Sequence, residues 1–249
     1  MSLEGDLRFA QALADAADAI TLSRFRALDL RVETKPDLSP VSEADTLTEQ
    51  TLREQIARLR PGEGVLGEEF GSDNAQTRWV LDPIDGTRNY VRGLPIWATL
   101  IALEREGRVE VGVVSAPALG RRWWASRGAG AWVDGEPCRV SAVARIEDAT
   151  VSTTSAPQMP QTWSSLASRA WTSRGFGDFW QYCLLAEGGL DVATDATLQP
   201  WDYASVMLIV EEAGGRSSTF SGDSPRAGAS FVATNGVLHD AVVAALSGA

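Results

Sequence analysis

The sequence predicts an α+β first half and an α/β second half, with the change near residue 145. Three observations carry this prediction. Two long amphipathic helical patterns open the chain, a meander of short strands follows them, and beyond residue 145 short strands alternate with helices. Residues 1–144 and 145–249 are therefore expected as two packed domains, and 249 residues suffice for a sizeable core.

Each element has a local reason. Leu3, Leu7, Ala10, Ala14, Ala17, Thr21, Phe25 and Leu28 step by three and four, which predicts a helix over 3–28. Pro36 and Pro40 make 33–41 a loop or hairpin. Ser42, with Asp45 three residues on, resembles a capping arrangement for a second helix that runs to Arg60 and stops at Pro61-Gly62. Residues 65–67 and 78–81 read as short strands that deliver Glu68 and Asp82. Strands follow at 97–103, 109–115, 122–126 and 131–133, with Glu106-Gly107 and Asp134-Gly135 as turns. In the second half, strands are expected at 149–153, 191–194 and 230–234. Helices are expected at 160–169, 179–188, 203–213 and 238–246, and Gly188-Gly189 and Gly214-Gly215 stop two of them.

Composition narrows the function. The 22 basic and 33 acidic residues leave a net charge of −11, which argues against a nucleic-acid partner because no basic stripe is present to release counterions. Cys138 and Cys183 form no CxxC pair, and two cysteines in a chain of this length point to a reducing compartment. No basic and apolar leader opens the chain, and its longest apolar runs are too short to span a bilayer as a helix. A cytoplasmic protein without a membrane partner is expected.

The chemistry sits in three acidic phrases: Gly67-Glu68-Glu69, Asp82-Pro83-Ile84-Asp85-Gly86-Thr87 and Trp201-Asp202. The middle one places two carboxylates three residues apart around a proline, which fixes φ and donates no hydrogen bond. A hard cation needs a few such oxygens plus a substrate phosphate, and the Ile84 carbonyl is a further neutral ligand. Gly86 and Thr87 are expected to open a helix whose free N–H groups suit an anion, with Asp85 as its N-cap. Taken singly, each phrase has a plainer reading. Asp-Pro and Asp-Gly are common turn formers, paired glutamates are usually solvated, and Asp202 suits the cap of a helix starting at Tyr203. The case for a site rests on all three phrases occurring together, each at a strand end or helix start.

Together the phrases resemble those of the inositol monophosphatase superfamily of Mg²⁺-dependent, lithium-sensitive phosphatases, and the likeness runs from Ser39-Pro40 and Asp45 to Glu211-Glu212-Ala213-Gly214-Gly215. Within it, the run from Gly86 to Thr99, with Ala116-Pro117-Ala118-Leu119, Arg121-Arg122-Trp123-Trp124 and Gly177-Asp178-Phe179, is most similar to the histidinol-phosphatases of actinobacterial type. The resemblance implies a layered αβαβα sandwich, usually a homodimer. It implies two or three Mg²⁺, with Mn²⁺ as an alternative. Glu68, Asp82 and the Ile84 carbonyl would hold the first ion, Asp82, Asp85 and Asp202 the second, and a third would share Glu68. Asp85, Gly86 and Thr87 would form the phosphate site, and Asp45 would hold a metal-bound water. The implied reaction is hydrolysis of L-histidinol phosphate, a step of histidine biosynthesis, by metal-activated water that Glu68 and Thr87 orient and deprotonate.

Specificity must lie elsewhere. Histidinol phosphate carries an ammonium and an imidazole, and Asp178 and Asp195 are the acids expected to meet them. Asp178 is equally suited to cap a helix at Phe179, and Trp171, Trp180 and Tyr182 are more often core than cation-binding faces. An inositol 1-phosphatase, a broad sugar phosphatase and an adenosine 3′,5′-bisphosphate phosphatase remain alternatives, the last through Arg88 and Arg92. A non-catalytic metal-binding relative is a further one, which intact Glu68, Asp82, Asp85, Thr87 and Asp202 disfavour. His239, the one histidine, lies outside every phrase and is expected as surface or packing.

Overall fold

The computed structural model describes residues 2–36, 38–72 and 75–248. Helix α1 (Leu3–Arg24) and helix α2 (Glu43–Leu59) are joined by a hairpin of β1 (Val32–Thr34) and β2 (Pro40–Ser42). Next come β3 (Gly64–Gly67), β4 (Gly71–Ser72), β5 (Thr77–Asp85), the short helix α3 (Thr87–Val91), β6 (Ala98–Arg105) and β7 (Arg108–Ala116). The strands β8 (Arg121–Ser126), β9 (Ala131–Val133) and β10 (Glu136–Pro137) complete an eight-stranded sheet in the order β10-β9-β8-β7-β6-β5-β3-β4. All its neighbours run antiparallel except β3 and β5.

The second half supplies β11 (Thr150–Thr153), α4 (Gln161–Arg169), β12 (Thr172–Arg174), α5 (Asp178–Ala186), β13 (Val192–Leu198), α6 (Pro200–Glu212), β14 (Arg216–Ser218), β15 (Ala229–Thr234) and α7 (His239–Ser247). Its five strands form a mixed sheet in the order β12-β11-β13-β15-β14, parallel around β11 and antiparallel around β15.

Side-chain alternation along the strands builds the layers. Ile101 and Leu103 of β6 pack with Leu13 and Ala17 of α1 and Leu52 and Ile56 of α2. Leu100 and Ala102 of the same strand join Phe179, Leu185, Ala204 and Leu208 of α5 and α6. That inner helical layer also meets Phe231 and Ala233 of β15, whereas Val232 faces Trp163 and Leu166 of α4 and Val242 and Leu246 of α7. The order is helices, sheet, helices, sheet, helices, which is the αβαβα sandwich the resemblance implied. Among the described residues no helix is long and apolar enough to cross a membrane.

Several boundaries differ from expectation. Helix α1 ends at Arg24 instead of residue 28, and Arg26 turns the chain away with φ 63°. The strand expected at 78–81 continues to Asp85 through a bulge between Asp82 and Asp85, where Pro83 is tolerated because a bulge leaves it no ladder bond to make. Asp85 is not the cap of the following helix: Gly86 is, with φ 87°, and α3 lasts only five residues. Helix α6 starts at Pro200, not Tyr203, since proline is preset for the first helical position. Strands β4, β10, β12 and β14 were not expected. They are two or three residues long, too short for an apolar period to show.

Candidate active site

The site gathers where β3, β5, α2, α3, α5 and α6 meet. At the end of β5, Asp82 is 2% exposed, and its Oδ1 accepts the Ile84 N–H at 3.0 Å. The Thr99 hydroxyl donates to the Pro83 carbonyl at 2.8 Å, which fixes the bulge from the neighbouring strand. The Thr87 hydroxyl lies 2.9 Å from the Ile84 carbonyl and 3.1 Å from Asp45 Oδ1. Asp45 Oδ2 accepts both the N–H and the hydroxyl of Ser42, at 2.8 and 2.6 Å, which closes the cap of α2 and fixes the carboxylate.

Gly86 makes this crossing possible. Its φ of 87° disfavours any residue with a side chain, and a Cβ there would stand 3.0 Å from the Ile96 carbonyl and 3.3 Å from Asp178 Oδ2. Asp85 turns its Oδ2 to the Phe179 N–H at the start of α5, which joins the two halves of the chain. Asp202 lies in the first turn of α6, and its Oδ2 accepts the Gln199 N–H at 2.6 Å. On the β3 side, the Lys35 ammonium sits 2.7 Å from both Glu68 Oε1 and Glu69 Oε1.

These acids repel one another in a place with little water. Burial, then Glu68, Asp85 and Asp202, pushes Asp82 well above the usual carboxylate range. Burial, then Asp178 and Asp202, does the same to Asp85. Burial raises Asp202 to about 7 against the Gln199 hydrogen bond that opposes it. Glu69 reaches about 7, again mainly through burial, and Asp45 is raised for the same reason. Clustered, all-oxygen, buried carboxylates of this kind suit a hard divalent cation, which would offset the repulsion and hold them ionised. Among the described residues no three of the acids already close into a finished set of metal ligands. Lys35 would share Glu68 with a cation bound there.

Two adjoining cavities open over the cluster. One, of about 370 Å³, is lined by Glu68, Gly86, Thr87, Arg88, Asn89 and Asp178 among others. The second, of about 190 Å³, reaches Asp85, Tyr182, Asp195 and Asp202, and both share Thr154, Gln158 and Asp178. Asp178 is not the cap of α5. Gly177 holds that position, while Asp178 itself adopts φ 47° and accepts from Asn89 Nδ2 at 3.1 Å. Asp195 accepts from the Tyr182 hydroxyl at 2.6 Å and Gln181 Nε2 at 2.7 Å. Burial raises both Asp178 and Asp195 to about 6.

All the acids singled out in the sequence thus gather around one cleft. Sequence reasoning missed Lys35, Asn89, Thr154, Gln158 and Gln181. Lys35 alone carries a signal, being the only lysine in a chain with 22 basic residues. His239 is buried with its Nδ1 3.1 Å from Thr234 Oγ1, a packing role away from the cleft.

Comparison with known proteins fits this geometry. The model of the inositol monophosphatase family matches residues 2–249. The histidinol-phosphatase of Mycobacterium tuberculosis is 50% identical over 254 residues, covering 97% of this chain and 98% of that protein. The histidinol-phosphatase of Streptomyces coelicolor is 46% identical over 260 residues and 97% of both chains. Among solved structures, the Thermotoga maritima IMPase superposes with a TM-score of 0.91 at 31% identity, covering 98% of this chain and 97% of that one.

Proposed function

This chain belongs to the inositol monophosphatase family, and on that premise we propose that it hydrolyses L-histidinol phosphate to L-histidinol and phosphate, with Mg²⁺ as cofactor. The observation that carries the reading is the junction, in one cleft, of a buried carboxylate cluster with a second pair of acids, Asp178 and Asp195. The first suits divalent cations and a phosphate, the second a cationic amino alcohol. The likeness to histidinol-phosphatases supports that choice over neutral sugar phosphates.

Glu68, Asp82 and the Ile84 carbonyl would hold one ion, and Asp82, Asp85 and Asp202 a second, with Glu68 available to a third. When bound, such ions supply Lewis acidity at the phosphate and a nucleophilic water at neutral pH. The protein's own groups do the rest. The N–H groups of Gly86 and Thr87 would donate to the phosphate oxygens; with α3 only five residues long, these donors, more than a macrodipole, would bind it. The Thr87 hydroxyl, turned toward Asp45 Oδ1 and the Ile84 carbonyl, keeps a lone pair for the attacking water. Glu68 takes that water's proton as its oxygen attacks phosphorus in line; the ester oxygen departs with the electrons of the P–O bond and takes a proton from solvent water, and Glu68 returns its own proton to solvent. No covalent enzyme intermediate is required. A homodimer in the cytoplasm belongs to the same reading, and sedimentation velocity checks the assembly.

The test is phosphate release with Mg²⁺ across histidinol phosphate, inositol 1-phosphate, fructose 1,6-bisphosphate and adenosine 3′,5′-bisphosphate. Histidinol phosphate should dominate kcat/KM. Faster turnover of any of the other three would overturn the substrate assignment.

A further inference from the structure

Glu49 is a fully buried carboxylate that the proposed reaction does not use. A buried charge is tolerated only where several donors converge on it, and the donors here are specific. Its Oε2 accepts the Glu69 N–H at 2.7 Å, and its Oε1 accepts the Phe70 N–H at 3.2 Å and Arg53 Nε at 2.8 Å. Arg53 in turn donates to the Gly71 carbonyl. The residue before Glu68 is tied to the same group. A Cβ on Gly67 would stand 1.9 Å from Glu49 Oε1 and 2.3 Å from Cδ, so any side chain there must displace that carboxylate.

The segment so gripped is a short edge hairpin, held besides by Lys35, whose ammonium pairs with the side chains of Glu68 and Glu69 at 2.7 Å. Glu68, Glu69 and Phe70 form the loop between β3 and β4, with Leu66 opposite Ser72 and Gly67 opposite Gly71. Strand β4 is two exposed residues at the end of the sheet, and Phe70 is 53% exposed. The Glu68 N–H makes only a 3.3 Å bond to the Leu81 carbonyl. Edge hairpins this short are marginal on their own. Glu49 lies four residues after Asp45, one turn along the same face of α2, so one helix face supplies both the partner of Thr87 and the anchor of the Glu68 loop.

We propose that Glu49 is the positioning residue for Glu68: its carboxylate, gripping the Glu69 and Phe70 N–H groups and filling the space over Gly67, aims the Glu68 side chain at the metal site. This rests on the reading of Glu68 as a metal ligand. In Glu49→Gln the side-chain volume stays, but one amide N–H must oppose a backbone N–H or Arg53. In Gly67→Ala the same carboxylate is displaced from the other side.

The experiment is Mn²⁺ binding to substrate-free protein, followed by electron paramagnetic resonance, together with Tm and the kcat and KM of the reaction. Glu49→Gln and Gly67→Ala should each weaken the Mn²⁺ Kd about 10- to 100-fold, the usual effect of losing a partner that orients a ligand, while kcat at saturating metal recovers to within a few-fold. Val151→Ala, in the core between the second sheet and the outer helices, should lower Tm and leave Kd unchanged, which separates positioning from general destabilisation. If Glu49→Gln does not fold, Gly67→Ala decides. A wild-type Kd in either folded variant, beside a weakened Kd in Glu68→Gln, would overturn the positioning role alone. A wild-type Kd in Glu68→Gln would overturn the metal assignment and this role with it.

Discussion

Asp82 shows how a single residue serves the site against the interest of the fold. It is held at 2% exposure among Glu68, Asp85 and Asp202, and its ionised form is disfavoured by all of them. Asp82→Asn removes that repulsion together with a ligand of both proposed ions. We expect kcat/KM to fall by about three orders of magnitude, the equivalent of roughly 4 kcal/mol of transition-state stabilisation. The Tm in EDTA should rise. Normal Mg²⁺-dependent turnover would remove Asp82 from the site. Asp178 tests specificity in the same way. Asparagine tolerates the left-handed φ of 47° found here and keeps an oxygen for Asn89, so Asp178→Asn should fold. It should raise KM about tenfold for histidinol phosphate and little for a neutral phosphomonoester, since one charge pair near a protein surface is worth on the order of 1–2 kcal/mol after screening. Equal effects on both substrates would deny Asp178 the recognition role. The residues that the sequence revealed are those whose chemistry is unusual in place, such as two acids around a proline. Thr154, just past the end of β11, and Gln158, in a single turn of 3-10 helix, line the cleft with ordinary side chains, and no local pattern marks them.

The elements were legible where one period or one cap decides them. Ser42 and Asp45 announced α2, and the three- and four-residue steps announced α1. The bulge in β5 was not legible, because Asp82 and Asp85 look like the two ends of a turn until β6 is there to pair across both. The capping role of Asp85 failed for a related reason: its carboxylate is claimed by Phe179 from a helix some ninety residues later, a contact only the tertiary fold creates. The placement of α6 depends on a close approach of the same kind. A Cβ on Gly112 of β7 would meet the Ser205 carbonyl at 2.8 Å and its Cα at 3.1 Å, so strand and helix touch backbone to backbone. Neither atom is at the end of a flexible side chain. Gly112→Ala should therefore push α6 outward, lowering stability by about 1–3 kcal/mol and shifting Asp202 one turn before Ser205. Denaturant unfolding and a metal titration check the two effects. Lost stability with an unchanged metal Kd would mean that Asp202 is positioned by Gln199 and Pro200 alone.

At the scale of the whole molecule, the five layers put the acidic cluster at a seam, where the ends of strands and helices from both halves converge. The stability of the metal-free protein should carry that cost with a definite sign in pH. Burial raises Asp202 to about 7 and Asp178 and Asp195 to about 6, against 3.8 for an unperturbed aspartate. Between about pH 4 and 7 the native state then binds more protons than the unfolded chain, so unfolding free energy falls as pH rises. His239, whose burial lowers its affinity for a proton, runs the opposite way, but it is one group against several. A net loss on the order of 3 kcal/mol corresponds to a Tm in EDTA lower by roughly 6–12 °C at pH 7.5 than at pH 5. Mg²⁺ should reverse the trend. It binds the ionised carboxylates, so its affinity rises with pH, and whatever binds the native state alone stabilises it by mass action. Thermal scans from pH 5 to 7.5, with EDTA and with saturating Mg²⁺, give the two slopes. A Tm in EDTA that stays flat or climbs over this range would mean that the acids are neutralised from within, with Lys35 the nearest cation to Glu68 and Glu69, and that the fold does not hold them ready for a metal at its own expense.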